Sequence, residues 1–415
     1  ECWDKTGKDP VSMKWVDTNK GNDHSEEWEI RCRLVARDFK GKDTGRDDLF
    51  AETPPLEGKR MLMSRAMTKR RDGRRRKMML IDARKAHLNP KCEEDVYVTL
   101  PEECECPEGM CAKLNYWLYG FRPAAAAWEK HYSEKFESVG FTRGTSCGVV
   151  FYHKERDLSM AVHGDDFTIV GLGEDLEWIK DLMKSWFEIK VRAVLGNDPG
   201  DDKEVVLLGR KIRWMGDKIE YEADPKHREK ILEYFEMGEG IRPLSMNGEK
   251  ESKEEKETEE EAEDLVKEEA TTYRGLAARV NFMSQDCPDL QFASKPCSRE
   301  MAKPKMGSWR PMKKLARYLL NREAVVWVYT LQDEPKFSHT AADSDWGGNH
   351  KDRKSTSGGV WMLGEHCIKT WAASQGAVAL SSAEAEFYGM IEGVTRAKGL
   401  LSLARELGFE DLSTV

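Results

Sequence analysis

The chain is predicted to be an α+β protein: an antiparallel sheet with helices on one side, followed by a second, smaller mixed block. Three observations predict this. Strand-like runs alternate with helical periodicities through residues 1–245. An acidic segment, residues 246–269, has no aromatic and almost no β-branched residue, so it cannot bury enough surface to fold alone and reads as a linker. Beyond it, periodic runs resume through residues 270–415.

Taken in order, residues 28–39 alternate well enough to be a strand, and residues 56–69 have helical spacing. A turn at Asp72-Gly73 precedes the apolar run Met78-Met-Leu-Ile-Asp82. Residues 125–139 form an amphipathic helix stopped by Gly140. Strands at 148–153 and 159–162 lead into Asp165–Asp166, and 167–170 returns as a third strand, which puts the pair at a hairpin tip. A helix at 176–186 follows, then a hairpin of 205–214 and 218–221 around Gly216-Asp217. After the linker, 271–284 and 312–321 are helical, with an irregular Cys- and Pro-containing stretch between them. Strands at 325–330, 358–363 and 367–372 precede a helix over 382–406.

At 415 residues, 39% hydrophobic and 34% charged, the chain has room for two or three well-cored domains. No apolar stretch approaches bilayer length, and no signal peptide opens the sequence, so no membrane role is expected. A start at Glu1 rather than Met suggests a fragment or a segment of a polyprotein. Ten cysteines without framework spacing point to a reducing compartment, and Cys92, Cys104, Cys106 and Cys111 lack paired zinc knuckles. The net charge of −9 is concentrated: residues 249–269 hold 12 acids and 4 lysines. Against it stands Lys69-Arg-Arg-Asp-Gly-Arg-Arg-Arg-Lys77, 7 basic residues and 1 acid, which reads either as a solvated or targeting run or as a phosphate-binding patch.

Asp165–Asp166, flanked by strand-forming residues, is the most informative feature. Adjacent carboxylates resist joint ionisation, and the usual relief is a hard divalent cation. Either they decorate a polar turn, or, with Asp82, they form a carboxylate site on a sheet. One carboxylate from an early strand and two from a hairpin is the palm layout of nucleotide polymerases. No Walker A loop, nucleophile elbow or His-Glu-x-x-His is present, and Gly171-Leu-Gly173 reads as a turn. Trp117 and Trp128 are core residues or flank a nucleic-acid groove.

Here the sequence resembles the reverse transcriptase and ribonuclease H region of copia-type LTR-retrotransposon Pol polyproteins. The matching stretches run in order across nearly the whole chain. Met13-Lys-Trp-Val16 opens the series. Arg31-Cys-Arg-Leu-Val-Ala-Arg-Asp-Phe39 is similar to the family's K-A-R-L-V-A-K-G-F, and Ile81-Asp-Ala-Arg-Lys-Ala-His-Leu-Asn89 to D-V-K-T-A-F-L-N. Leu118-Tyr-Gly-Phe-Arg-Pro-Ala-Ala-Ala-Ala-Trp128 resembles L-Y-G-L-K-Q-A-P-R-A-W, and His163-Gly-Asp-Asp166 stands where the family has Y-V-D-D. Leu207-Leu-Gly209 resembles the primer-grip strand. Tyr273-Arg-Gly-Leu276 and Pro288-Asp-Leu290 match the connecting segment. Ala342-Asp-Ser-Asp-Trp-Gly347, Asp352-Arg-Lys-Ser-Thr-Ser-Gly-Gly359 and Ala379-Leu-Ser-Ser-Ala-Glu-Ala-Glu-Phe387 resemble S-D-A-D-W-A-G, D-R-K-S-T-S-G and A-L-S-S-T-E-A-E-Y.

The resemblance implies a fingers–palm polymerase fold over 1–245, the linker at 246–269, a helical connecting segment over 270–335, and a C-terminally truncated ribonuclease H-like α/β domain over 336–415. It implies RNA-directed DNA polymerase activity by two-metal transfer from a dNTP to a primer 3′-hydroxyl, with Mg²⁺ (or Mn²⁺), two per active site roughly 4 Å apart. Asp82, Asp165 and Asp166 are the implied metal ligands, Asp82 and Asp165 bridging both ions. Arg31 and Arg33 would clamp the triphosphate, and the Lys69–Lys77 run would contact template or primer backbone. His87 stands where an aromatic packs on the nucleotide sugar. His87, Pro123 and His163-Gly164 depart from the family pattern. Asp343 and Glu386 are the implied ribonuclease H ligands, with Asp345 and Glu384 as the alternate register. A third carboxylate would lie beyond Val415, so weak RNA cleavage is expected. Implied partners are an RNA template, a DNA or tRNA primer, an RNA/DNA hybrid and other Pol and Gag products, in a cytoplasmic virus-like particle or the nucleus. Two other readings stay open: an inactive retroelement relic that retains nucleic-acid binding, and an unrelated metal-dependent phosphohydrolase.

Overall fold

The structure, a computed structural model, describes residues 1–19, 29–39, 49–245, 262–349 and 352–414. Trp28, the first residue of the predicted 28–39 strand, and residues 246–261 of the acidic segment lie outside the described residues. The chain divides into two compact units. No described helix is long and apolar enough to cross a membrane.

One unit comprises Glu1–Leu62, Arg76–Val194 and Leu403–Glu410. Its centre is a six-stranded sheet ordered Ile189–Leu195, Lys77–Ala83, Asp166–Gly171, Leu158–His163, Val150–His153 and Thr142–Arg143. From Lys77–Ala83 to Thr142–Arg143 the neighbouring strands pair antiparallel. Met78 to Ile81 and Leu158 to Val162 are almost wholly buried, because these strands lie in the interior of the sheet. The helix Ala124–Ser138 buries Trp128, Tyr132 and Phe136 at i, i+4, i+8. These rings meet Phe167 of the sheet edge-on, with centroids 5.6 Å away for Tyr132 and 5.8 Å for Phe136. The helix Gly173–Trp186 buries Leu176, Ile179 and Met183. Phe136 and Trp186 meet at 5.7 Å, so the two helices share one layer on the sheet. This is the predicted α+β arrangement.

The hairpin Met13–Asn19 and Ile30–Ala36 is joined to the rest of this unit through Ala36, whose N–H donates to the Tyr119 carbonyl at 2.8 Å. Gly120 makes that approach possible. Its φ is +91°, and a Cβ there would lie 2.3 Å from the Ala36 carbonyl oxygen.

The other unit comprises Met63–Arg75, Leu195–Ser402 and Asp411–Val415. Its first sheet is an antiparallel meander of Glu204–Leu207, Arg210–Met215 and Lys218–Ala223 completed by Val326–Thr330. The sheet therefore joins residues from both sides of the acidic segment. The predicted single strand at 205–214 is broken by a tight turn in which Leu208 (φ 48°) and Gly209 (φ 69°) are both left-handed, the geometry that two-residue hairpins favour. The stretch predicted as irregular is a helix, Pro288–Arg299. Pro288 sits in its first turn, where no N–H is needed. Pro296 is tolerated inside because Leu290, Ala293 and Cys297 are buried in a core shared with Lys267–Ser284 and Trp309–Leu320.

A second sheet is ordered His366–Ser374, Thr356–Leu363, Phe337–Ser344 and Ser413–Thr414. The first three are antiparallel; the last runs parallel to Phe337–Ser344, reached through the helix Ser382–Glu406.

Two polar centres tie this unit together. The Asp286 carboxylate, fully buried, accepts from Arg210 Nε (3.0 Å) and the Tyr221 hydroxyl (2.7 Å), while the Asp286 carbonyl accepts from Trp327 Nε1 (2.6 Å). His366 is fully buried, its Nε2 2.7 Å from the Thr330 carbonyl and its Nδ1 2.8 Å from Ser64 Oγ. A carbonyl only accepts, so Nε2 carries the proton and Nδ1 accepts from Ser64. Burial pushes this imidazole down to about 4.

Removing the Asp286 carboxylate leaves a buried guanidinium without its counter-charge. Asp286→Ala is expected to lower the unfolding free energy by about 3–5 kcal/mol in urea titrations. His366 binds a proton less readily folded than unfolded, so its contribution is intact above about pH 6.5 and lost as pH falls toward 4. Wild-type stability should drop by up to about 3 kcal/mol across that window, and His366→Gln should flatten that part of the profile.

Candidate active site

The two carboxylates predicted to share a hairpin tip occupy different positions. Gly164 and Asp165 form the two-residue turn, with φ positive (+65°) at Gly164 only, a type II′ pattern. Asp166 is already the first residue of the returning strand, directly opposite Asp82 on the neighbouring strand. Cross-strand partners have Cβ atoms roughly 5 Å apart, and like charges so placed repel. The Ala83 N–H donates to the Asp165 carbonyl at 2.8 Å, and Trp128 Nε1 donates to the Gly164 carbonyl at 2.9 Å. The first bond holds the turn against the strand that carries Asp82, and the second ties it to the helix Ala124–Ser138.

Asp166 is raised above the usual carboxylate range. Burial is the main cause, with Asp165 and Asp82 adding to it and Arg192 opposing. Arg192 Nη1 lies 3.1 Å from Asp166 Oδ1. A cation at this corner would relieve the same strain, and an all-carboxylate donor set suits a hard divalent ion. Among the described residues, however, no three ligand side chains are drawn together as a ready-made metal cage.

Of the remaining predicted residues, His87, Arg31 and Arg33 lie around this corner. His87 follows the Asp82 strand on a short 3₁₀ turn, and burial lowers its pKa while Asp165 partly offsets this. Its ring lies 4.7 Å from that of Tyr119. Arg31 and Arg33 share one face of the strand Ile30–Ala36, two residues apart. The Arg33 guanidinium stands 6.0 Å from the Tyr119 ring centroid. The Tyr119 phenol is raised, first by burial and then by Asp165, with Arg33 and Arg31 opposing and Asp82 adding. One ring thus senses both arginines and two of the three carboxylates. Tyr119 and Arg192 were not among the predicted site residues. Tyr119 lies in the Leu118-Tyr-Gly-Phe-Arg-Pro123 stretch, but nothing in its sequence neighbours marks it as a site residue rather than a core one. Arg192 is 26 residues from the aspartate it pairs with.

The Lys69–Lys77 run does not form an open phosphate patch. Arg70 and Arg74 both pair with Asp72, holding that carboxyl far below its usual range. Lys69 pairs with Asp333, Arg75 with Asp217 and Arg76, 4% exposed, with Asp157. Each acid comes from a turn or loop distant in sequence or from the run's own turn, which is why the run alone looked unneutralised. Trp117 and Trp128 are both buried and are core residues. All ten cysteines are free thiols.

In the other unit, Asp343 lies exposed near the end of Phe337–Ser344, opposite Gly358. Glu386 is exposed on the helix Ser382–Glu406, one turn before Gly389. A Cβ at Gly389 would sit 3.5 Å from the Asp343 carbonyl oxygen, so this turn of the helix packs against the Asp343 strand end. The alternate register is already engaged. Asp345 Oδ1 accepts the Thr356 N–H at 2.8 Å, and Glu384 accepts the Leu380 N–H and the Tyr388 hydroxyl, each at 2.8 Å.

Residues 4–198, which include Asp82, Asp165, Asp166, Tyr119 and Arg192, match the family reverse transcriptase (RNA-dependent DNA polymerase). The chain is 25% identical over 98% of its length to the retrovirus-related Pol polyprotein from transposon RE2 of Arabidopsis thaliana, covering 27% of that protein. It is 26% identical over 97% of its length to the corresponding polyprotein from transposon TNT 1-94 of Nicotiana tabacum, covering 30% of it. The chain thus spans under a third of these curated relatives. Among solved structures it aligns with an apo telomerase from Candida tropicalis at 11% identity, covering 49% of this chain and 53% of that one, at a TM-score of 0.30, too low to argue from. With similarity to these Pol polyproteins along nearly its whole length and the family match over residues 4–198, the chain resembles the reverse transcriptase-bearing stretch of retrotransposon Pol polyproteins.

Proposed function

We propose that this chain is the RNA-directed DNA polymerase segment of a copia-type element, extending a primer on an RNA template by nucleotidyl transfer from dNTPs. The observation that carries this reading is the opposed pair Asp82 and Asp166 with Asp165 on the adjoining turn. In this reading the three carboxylates hold two divalent ions, Mg²⁺ or Mn²⁺. The metal, when bound, supplies Lewis-acid stabilisation of the developing phosphoryl charge and lowers the pKa of the primer hydroxyl. The protein's own part is positional. Arg31 and Arg33 take the triphosphate oxygens, since each guanidinium offers planar paired donors and Arg33 Nε is buried without a hydrogen-bond partner among the described residues. His87 packs against the sugar. Arg192 fixes one oxygen of Asp166 so that the carboxylate presents the other. The primer hydroxyl then attacks the α-phosphate in line, and pyrophosphate leaves.

The reading extends to a ribonuclease H-like module over 336–415 acting on the RNA strand of the hybrid. Its support is the sheet order of three antiparallel strands followed by a helix and a parallel strand, together with the approach of the Glu386 helix to the Asp343 strand end. Partners are then a primed RNA template and the element's other Pol and Gag products, in a cytoplasmic particle or in the nucleus.

A primer-extension assay on an RNA template with Mg²⁺ and dNTPs tests the reading. Wild-type chain should add nucleotides, and Asp82→Asn or Asp165→Asn should lower incorporation on the order of 10³-fold, the several kcal/mol a catalytic metal supplies. Template–primer affinity should change little. Binding without incorporation by the wild type would favour an inactive relic, and phosphate release without template would favour a phosphohydrolase. Arg33→Ala is expected to raise the KM for dNTP about tenfold, as loss of one charge-assisted contact worth roughly 1.5 kcal/mol would.

A further inference from the structure

We propose that Tyr119 is a positioning residue for sugar selection: its ring holds the His87 imidazole and the Arg33 guanidinium in one surface beside Asp165, so deoxyribose is chosen by a His87–Tyr119 pair rather than by His87 alone. This rests on the polymerase reading above.

Four observations carry it. His87 is small for a wall against a sugar, and its Nδ1 is buried with no hydrogen-bond partner among the described residues, so no hydrogen bond at that atom orients the ring. What does lie against it is Tyr119, with centroids 4.7 Å apart and planes tilted by 34°. A tilted aromatic pair at that distance is attractive and restricts both rings. The opposite demand comes from Arg33, 6.0 Å from the same ring centroid, where the π face favours a cation. Finally, the Tyr119 backbone is fixed: its carbonyl accepts the Ala36 N–H, and the following Gly120 allows an approach that any side chain would block. The ring is thus anchored from the strand that carries Arg31 and Arg33, while its face supports the residue next to the carboxylates.

The test uses the full chain bound to a dideoxy-terminated RNA/DNA template–primer. Equilibrium affinities for the matched dNTP and rNTP are measured, and incorporation kinetics on an extendable primer are run in parallel. Tyr119→Ala should reduce the dNTP-over-rNTP preference about tenfold, with the loss in KM rather than kcat and the melting temperature little changed. Tyr119→Phe, which keeps the ring, should restore most of the preference. His87→Ala should reduce it to the same degree, and the double variant should lose no more than either single one, the mark of a pair acting as a unit. Tyr119→Ala with an unchanged preference would overturn this inference and leave the polymerase reading standing. A wild-type chain that binds neither nucleotide on the template–primer would overturn both.

Discussion

Two carboxylates facing each other across a buried strand pair dominate the organisation of the first unit. Asp82 and Asp166 are brought together by the antiparallel register of Lys77–Ala83 and Asp166–Gly171, and that register follows from burial. Met78 to Ile81 on one strand and Phe167 to Val170 on the other are almost wholly buried, so a slip would carry charge into the core. The repulsion is therefore built in by the same apolar runs that make the sheet. What surrounds it moderates the cost: Arg192 pairs with Asp166, and the backbone at the turn is held by Trp128 and Ala83.

The residues around that corner come from three separated parts of the chain. The arginines stand on a hairpin strand, His87 on a short turn, and Tyr119 on the loop before the Ala124–Ser138 helix. Their meeting point is set by backbone rather than by side-chain affinity. Ala36 bonds to Tyr119, and Gly120 lets the two segments touch. Trp128 illustrates the same economy, since one indole both fills the core beneath Phe187 and donates to the Gly164 carbonyl. The second unit relies on a different device, in which Asp286 and His366 satisfy buried polar groups from several elements.

The elements were legible in sequence wherever apolar periodicity was clean. The strands around Asp82 and Asp166, the helices Ala124–Ser138 and Ser382–Glu406, and the Arg70–Gly73 turn all follow from local pattern. Misreadings occurred where tertiary packing overrode local propensity. Pro288–Arg299 is helical despite an internal proline because three of its residues complete a core built by two other helices. The 205–214 run splits because Leu208 adopts a left-handed conformation usually left to glycine or asparagine. The basic run, open in sequence between a solvated run and a phosphate patch, is paired with acids remote in sequence, Asp157, Asp217 and Asp333.

The sequence by itself carried the resemblance to retrotransposon Pol polyproteins and named the three candidate carboxylates, His87 and the two arginines, since those depend on residue types in order. Tertiary structure decided their working geometry. It moved Asp166 off the turn and into opposition with Asp82, supplied Arg192 as its partner, and brought Tyr119 against His87 and Arg33. The physical reason is range. Periodicity and turn chemistry act over a few residues, whereas the register, burial and ion pairs that tune a site act between segments tens of residues apart.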